Sequence, residues 1–195
     1  ASTRRTRTHK IQGSIVNVAT RKQKIEGPML YRAAAAGAEI IDADKRIVRL
    51  SFSSDDVKVL RSSWWDDPWL EVLGHEPGEI NMVRLDTGSA PALLGHDTYS
   101  RNSHVGKVVK AWVKDGRAYA DVQISKRVEC DGVWQDIVDG ILSNVSVGYS
   151  VDERTLVLQT EGAPNEYRVT KWTPMEISFV PIAAFALKIA LCRSN

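Results

Sequence analysis

Apolar and polar residues alternate along much of the chain, and the alternation predicts strands. Between Arg117 and Ile124, Ala118, Ala120, Val122 and Ile124 take one parity and Arg117, Tyr119, Asp121 and Gln123 the other. That is the period of a strand with one buried and one wet face. Val105–Val113 precedes it across Lys114-Asp115-Gly116, a strong turn signal, so the two segments read as a hairpin. A second hairpin is predicted over Ala38–Phe52, where Ile40, Ile41, Ile47, Val48 and Leu50 flank the polar centre Asp42-Ala43-Asp44-Lys45. Ser143–Val151 alternates again, with Val145, Val147, Tyr149 and Val151 opposite Ser146, Gly148 and Ser150. Leu156–Leu158, Tyr167–Trp172 and Met175–Val180 read as three more strands. Ala90–His96 reads as a buried strand running into a loop.

The period changes between Ser125 and Gly140. Val128, Trp134, Ile137, Val138 and Ile141 fall along one stripe, which predicts an amphipathic helix with Ser125 as N-cap and Gly140 as its stop. The segment after Ser53 holds Trp64, Trp65 and Trp69 between the breakers Pro68 and Gly74, and predicts a short helix or a structured loop. Ile80–Leu85 suggests a further helical turn, and the apolar Ala183–Leu191 a short helix or strand. Sequential strands favour antiparallel pairing. The expected fold class is therefore mainly β (α+β): an antiparallel sheet or small barrel with helices at its flank.

Composition narrows the function classes. At 195 residues and 43% hydrophobic, the chain suits one domain that buries its own core. No run of about 18 apolar residues occurs, so no membrane span is expected. Cys130 and Cys192 make neither a disulfide framework nor a metal pattern. No metal, no cofactor and a reducing compartment are the expectation. The net charge of +2 hides an asymmetry: residues 1–25 carry seven basic residues and no acid, while the other 19 basic residues and all 24 acids lie beyond. Residues 1–27 thus read as a flexible basic arm, either a solubilising tail or a contact for nucleic acid or an acidic protein surface.

Few positions can carry chemistry. The histidines are His9, His75, His96 and His104. His9 lies in the arm, and His75 in a loop that is not His-Glu-x-x-His. His96 closes an apolar strand, where a side chain is held firmly yet can face a cleft. Ser146 lies between two valines. It is either a strand serine bonded to backbone or water, or a nucleophile on a rigid strand with small Gly148 beside it to admit substrate. Glu176 shares a strand parity with Ser178 and Val180. It is either an edge carboxylate in water or the group that orients an imidazole. Asp97 directly follows His96, and neighbours on a strand point oppositely, so it is a poor orienter. No Gly-x-Ser-x-Gly elbow and no phosphate-binding glycine loop is present.

Four segments in order carry a resemblance: Ala90–Asp97, Val105–Val108, Asp139–Tyr149 and Met175–Pro181. With them the chain resembles the tailed-phage prohead maturation serine proteases over roughly residues 28–181. It is similar in particular to members made as the N-terminal part of a protease–major capsid protein fusion. The resemblance implies a herpesvirus assemblin-like β-barrel with flanking helices. It implies Ser146 as nucleophile, His96 as general base and Glu176 as the third member. It further implies a protease domain over 28–181, a tail over 182–195, and self-association. The implied substrates are scaffold, capsid precursor and the chain itself, cut inside the assembling procapsid in the host cytoplasm. The alternative is a non-enzymatic capsid-assembly or scaffold module whose basic arm binds a partner.

Overall fold

The computed structural model describes residues 22–182, apart from 26, 36–37, 63–66 and 160. Among them the strands are β1 (Lys22–Lys24), β2 (Leu30–Ala35), β3 (Glu39–Asp42), β4 (Ile47–Ser54), β5 (Val59–Arg61), β6 (Trp69–Leu73), β7 (Pro91–Leu94), β8 (His104–Lys114), β9 (Arg117–Ile124), β10 (Asn144–Leu158) and β11 (Asn165–Phe179). Two helices accompany them, α1 (Val83–Asp86) and α2 (Asp131–Val138).

The antiparallel pair β10–β11 is the spine, and each strand is long enough to take two partners end to end. On the outer side of β10, β2 flanks residues 144–149 and β1 flanks residues 153–155, both antiparallel. On the outer side of β11, β6 runs parallel to residues 165–169 and β7 parallel to residues 177–179. Beyond β7 the sheet continues antiparallel through β8, β9, β4 and β3. The sheet is therefore mixed and open, which corrects the expectation of an antiparallel barrel. Among the described residues β2 forms no ladder with β4, the contact that closure would need.

The core is built from one parity of each strand. Val145, Val147, Tyr149 and Val151 of β10 pack with Ile177 and Phe179 of β11, Val48, Leu50 and Phe52 of β4, and Ala118, Ala120, Val122 and Ile124 of β9. Trp172 is fully buried, and its indole N–H donates to the carbonyl of Gly74 at 2.8 Å. Burying an aromatic of this size while satisfying its one polar atom is worth several kcal/mol, on the order of 3–5 by truncation.

Both predicted hairpins form, over β3–β4 and β8–β9. Other elements differ from expectation for local reasons. The segment after Ser53 forms the antiparallel β5–β6 pair rather than a short helix or structured loop, with Trp69 opening β6; Trp64 and Trp65 lie outside the described residues. Strands expected as separate pieces merge into β10 and β11. The gap expected between Trp172 and Met175 is instead a register shift at Gly148/Tyr149, where Pro174 lies opposite Tyr149. A bulge is where a strand tolerates a residue with no N–H. The helix starts at Asp131, not after Ser125. Its N-cap is Cys130, preceded by a 3-10 turn over Val128–Cys130. Of the expected apolar stripe, Ile137 is buried while Val128, Val138 and Ile141 are exposed. Lys22–Lys24, expected in the arm, are strand; residues 1–21 and Ala183–Leu191 lie outside the described residues.

Candidate functional site

The register of the spine decides which side chains meet. Ser146 lies opposite Ser178, and Gly148 opposite Glu176. All four occupy the parity facing away from the apolar core. Parallel pairing sets Leu94, the last residue of β7, beside Phe179. The chain then turns sharply over this polar face. Gly95 and His96 both have positive φ, 60° and 62°, and the N–H of Asp97 donates to the carbonyl of Leu94 at 3.2 Å. This is the pattern of a type I′ turn, which needs two left-handed residues. Glycine adopts that conformation freely, whereas at His96 it costs about 1–2 kcal/mol. The cost is offset locally: Gly95 N–H donates to Phe179 O at 2.9 Å and His96 N–H to Ser178 Oγ at 3.1 Å.

The turn brings the three sequence-predicted residues together. His96 Nε2 lies 2.7 Å from Ser146 Oγ, and His96 Nδ1 lies 2.7 Å from Glu176 Oε1. An ionised carboxylate only accepts, so Nδ1 carries the proton, and Nε2 is left as acceptor for the serine hydroxyl. Glu176 is 2% exposed and Ser146 3%, whereas the His96 side chain keeps 20% of its surface. A buried carboxylate is tolerable only with its oxygens partnered. Here Oε1 takes the imidazole N–H and Oε2 the Ser178 hydroxyl. Such an arrangement can hold a neutral imidazole against a hydroxyl and support the ring once it is charged.

Gly148 serves a different purpose from the one expected. A Cβ there would stand 3.1 Å from Cδ of Glu176 and closer still to Oε1. The space a side chain would fill is taken by the carboxylate, not left for substrate. Tyr31 of β2, paired with Gly148, lays its ring against His96 with centroids 4.2 Å apart and a 49° tilt.

Sequence reasoning passed over Ser178 and Tyr31. Ser178 had a signal, since it shares the parity of Glu176. Tyr31 had none, because the pairing of β2 with β10 joins distant segments.

The remaining candidates are structural. Asp97 faces its own loop. Its carboxylate accepts from Ser103 Oγ at 2.7 Å and from the N–H groups of Tyr99 and Ser100, and these bonds hold its pKa below the ordinary aspartate value. His104 is exposed at the start of β8, and its carbonyl accepts from Arg127. His9 lies outside the described residues. On β6 a second buried carboxylate, Glu71, accepts from Arg61 Nη2 at 2.8 Å and from the Tyr149 hydroxyl. Burial, then the charge of Glu71, pushes the Tyr149 phenol above its ordinary value, so it stays protonated. Arg61 donates to the same phenol oxygen, so the carboxylate of this knot is tied to a guanidinium and a phenol rather than to an imidazole and a hydroxyl. Among the described residues no group of three or more His, Cys, Asp or Glu could hold a metal, and no helix is long and apolar enough to cross a membrane.

No family model matches the chain. Over 116 residues, 59% of its length, it is 43% identical to the major capsid protein of Halomonas phage phiHAP-1. The match covers 19% of that protein, so the chain spans about a fifth of the curated relative's length. Among solved structures it is similar to the bacteriophage T4 capsid assembly protease, with a TM-score of 0.45 and 11% identity over 78% of this chain and 96% of that one.

Proposed function

We propose that residues 28–181 form a serine endopeptidase domain of phage procapsid maturation, with 1–27 as a basic arm and 182–195 as a tail. The observation that carries the proposal is the unbroken hydrogen-bond chain Ser146–His96–Glu176. The likeness to a phage major capsid protein supports the viral setting.

In the proposed reaction Ser146 Oγ attacks the carbonyl carbon of a peptide bond, and His96 Nε2 takes its proton. The imidazolium, supported by Glu176, then gives that proton to the leaving amine as the C–N bond breaks. Water enters, loses a proton to Nε2, and attacks the acyl-serine ester. The ester C–O bond breaks, Ser146 recovers its proton, and the new carboxyl terminus departs. The substrates proposed are scaffold, capsid precursor and the chain itself, within the assembling procapsid in the host cytoplasm.

The test is incubation of the chain with its capsid precursor, with new termini mapped by mass spectrometry beside a Ser146→Ala control. Cleavage is expected to fall by a factor on the order of 10⁴–10⁶ in the variant. Unchanged processing sinks the assignment.

The name of the Halomonas phage relative favours a second reading, a non-catalytic assembly module that binds shell protein or genome through its arm. A serine-directed acylating reagent separates the two. The protease becomes labelled on Ser146, whereas the module is not labelled and binds its partner in a strongly salt-dependent way.

A further inference from the structure

We infer that Ser178 is a positioning residue for this site, a role that rests on the reading of Ser146, His96 and Glu176 as catalytic. Ser178 is fully buried on β11, directly opposite Ser146. Its hydroxyl has two partners. It accepts from the backbone N–H of His96 at 3.1 Å and donates to Oε2 of Glu176. One donor and one acceptor position are thereby used, and both partners are members of the site.

Each partner needs that hydroxyl. At the turn, the N–H groups of Gly95 and Asp97 find backbone carbonyls, those of Phe179 and Leu94. The N–H of His96 between them is satisfied by Ser178 alone among the described residues. Oε2 of Glu176 has the same dependence, because Oε1 is committed to the imidazole. The hydroxyl therefore closes a ring: imidazole to carboxylate, carboxylate to Ser178, Ser178 back to the main chain of the same histidine. That ring fixes the carboxylate plane and the left-handed backbone of His96 against each other. The direction of Nε2 toward Ser146 then follows from the strand register rather than from side-chain rotamers alone. Among the described residues Ser178 Oγ makes no hydrogen bond to Ser146 Oγ; its partners are His96 N–H and Glu176 Oε2.

Removing the hydroxyl leaves a buried N–H and a carboxylate oxygen without partners, and the imidazole is free to drift. Misplacement of reacting groups by about 1 Å is worth on the order of 10²-fold in rate. The experiment measures phosphonylation of Ser146 by a fluorophosphonate in the full chain, in which the Oγ–P bond forms as fluoride leaves, and separates the maximal rate from the half-saturating probe concentration. Ser178→Ala is expected to lower the maximal rate about 10–100-fold with half-saturation nearly unchanged. Ser178→Thr, which keeps the hydroxyl, is expected to restore most of the rate. Ser178→Cys fills the space with a weak donor and covers the case of an unfolded alanine variant; the same fall is expected. In proton NMR the downfield imidazole N–H resonance of the His96–Glu176 bond is expected to survive in the wild type and Ser178→Thr and to broaden in Ser178→Ala. A role confined to packing would lower the melting temperature while leaving that resonance and the maximal rate of the folded protein in place. Wild-type labelling with Ser178→Ala just as fast overturns the positioning role alone. Absence of Ser146 labelling in the wild type overturns the catalytic reading and this role together.

Discussion

Among the described residues two serine–histidine pairs occur, and one of them is backed by charge. At His75, Nε2 lies 3.1 Å from Ser53 Oγ and Nδ1 lies 3.0 Å from the carbonyl of Leu73. At His96 the corresponding distances are 2.7 Å to Ser146 and 2.7 Å to Glu176. A carbonyl dipole orients the ring as well as a carboxylate does, but it carries no net charge to set against an imidazolium. Burial also pushes the His75 pKa below the ordinary histidine value, so that ring resists the protonation a general base undergoes. An open cavity of about 450 Å³ adjoins His75, but Ser53 does not line it and is itself buried. What distinguishes the proposed nucleophile from Ser53 is therefore not its contact with an imidazole but the charge of the third group.

The comparison can be broken most decisively at the two serines. Ser146→Ala is expected to abolish fluorophosphonate labelling and to lower cleavage on the order of 10⁴–10⁶-fold. Ser53→Ala is expected to leave both rates within about twofold and to lower unfolding free energy by about 1 kcal/mol in denaturant titration. Equal loss in the two variants would erase the distinction. Next in size is Gly148→Ala. The added Cβ must displace the Glu176 carboxylate, since the strands on either side are fixed by their ladders. A fall in cleavage rate on the order of 10²-fold is expected, measured on protein whose circular dichroism matches the wild type.

A smaller effect is expected at Tyr31, whose ring rests on the imidazole. Tyr31→Phe should keep the acylation rate within about twofold, and Tyr31→Ala should lower it about tenfold by loosening His96. The smallest concerns stability at His75. Its folded-state pKa is depressed, so the unfolded chain binds the proton more readily. The stabilisation it gives is whole above the ordinary histidine pKa of about 6.5 and is lost as the pH falls toward the folded-state value. Urea titrations at pH 7 and pH 5 should show a smaller acid-side loss in His75→Gln than in the wild type. An equal loss in both would remove His75 from the account.

Much of the strand content was legible because one face of each strand is apolar. Alternation in Arg117–Ile124 and Ser143–Val151 marks β9 and the first half of β10, and the turn residues mark the hairpins. The same alternation left open what lies opposite the core. In β10 the polar parity is not wet but buried against His96 and Glu176. Helix length was overread because Val128, Val138 and Ile141 match a helical stripe that the fold leaves exposed. The parallel pairings of β6 and β7 to β11 left no local trace, since periodicity reports a strand's faces and not its neighbours.

The amino-acid order carries the ingredients: the strand parities, a loop following the apolar run at Ala90–His96, and two polar residues, Ser146 and Glu176, in settings too apolar to hold them unpartnered. Their meeting with His96, which sits in a turn after β7 rather than closing the strand, is a product of the assembled sheet. Ser146 faces Ser178, and Gly148 faces Glu176, through a ladder whose register depends on the whole spine. His96 reaches them because β7 runs parallel to β11 and its turn folds back over that face. The physical reason is that side-chain periodicity is a local property, written residue by residue, whereas strand neighbours and register arise from burying all the apolar faces at once.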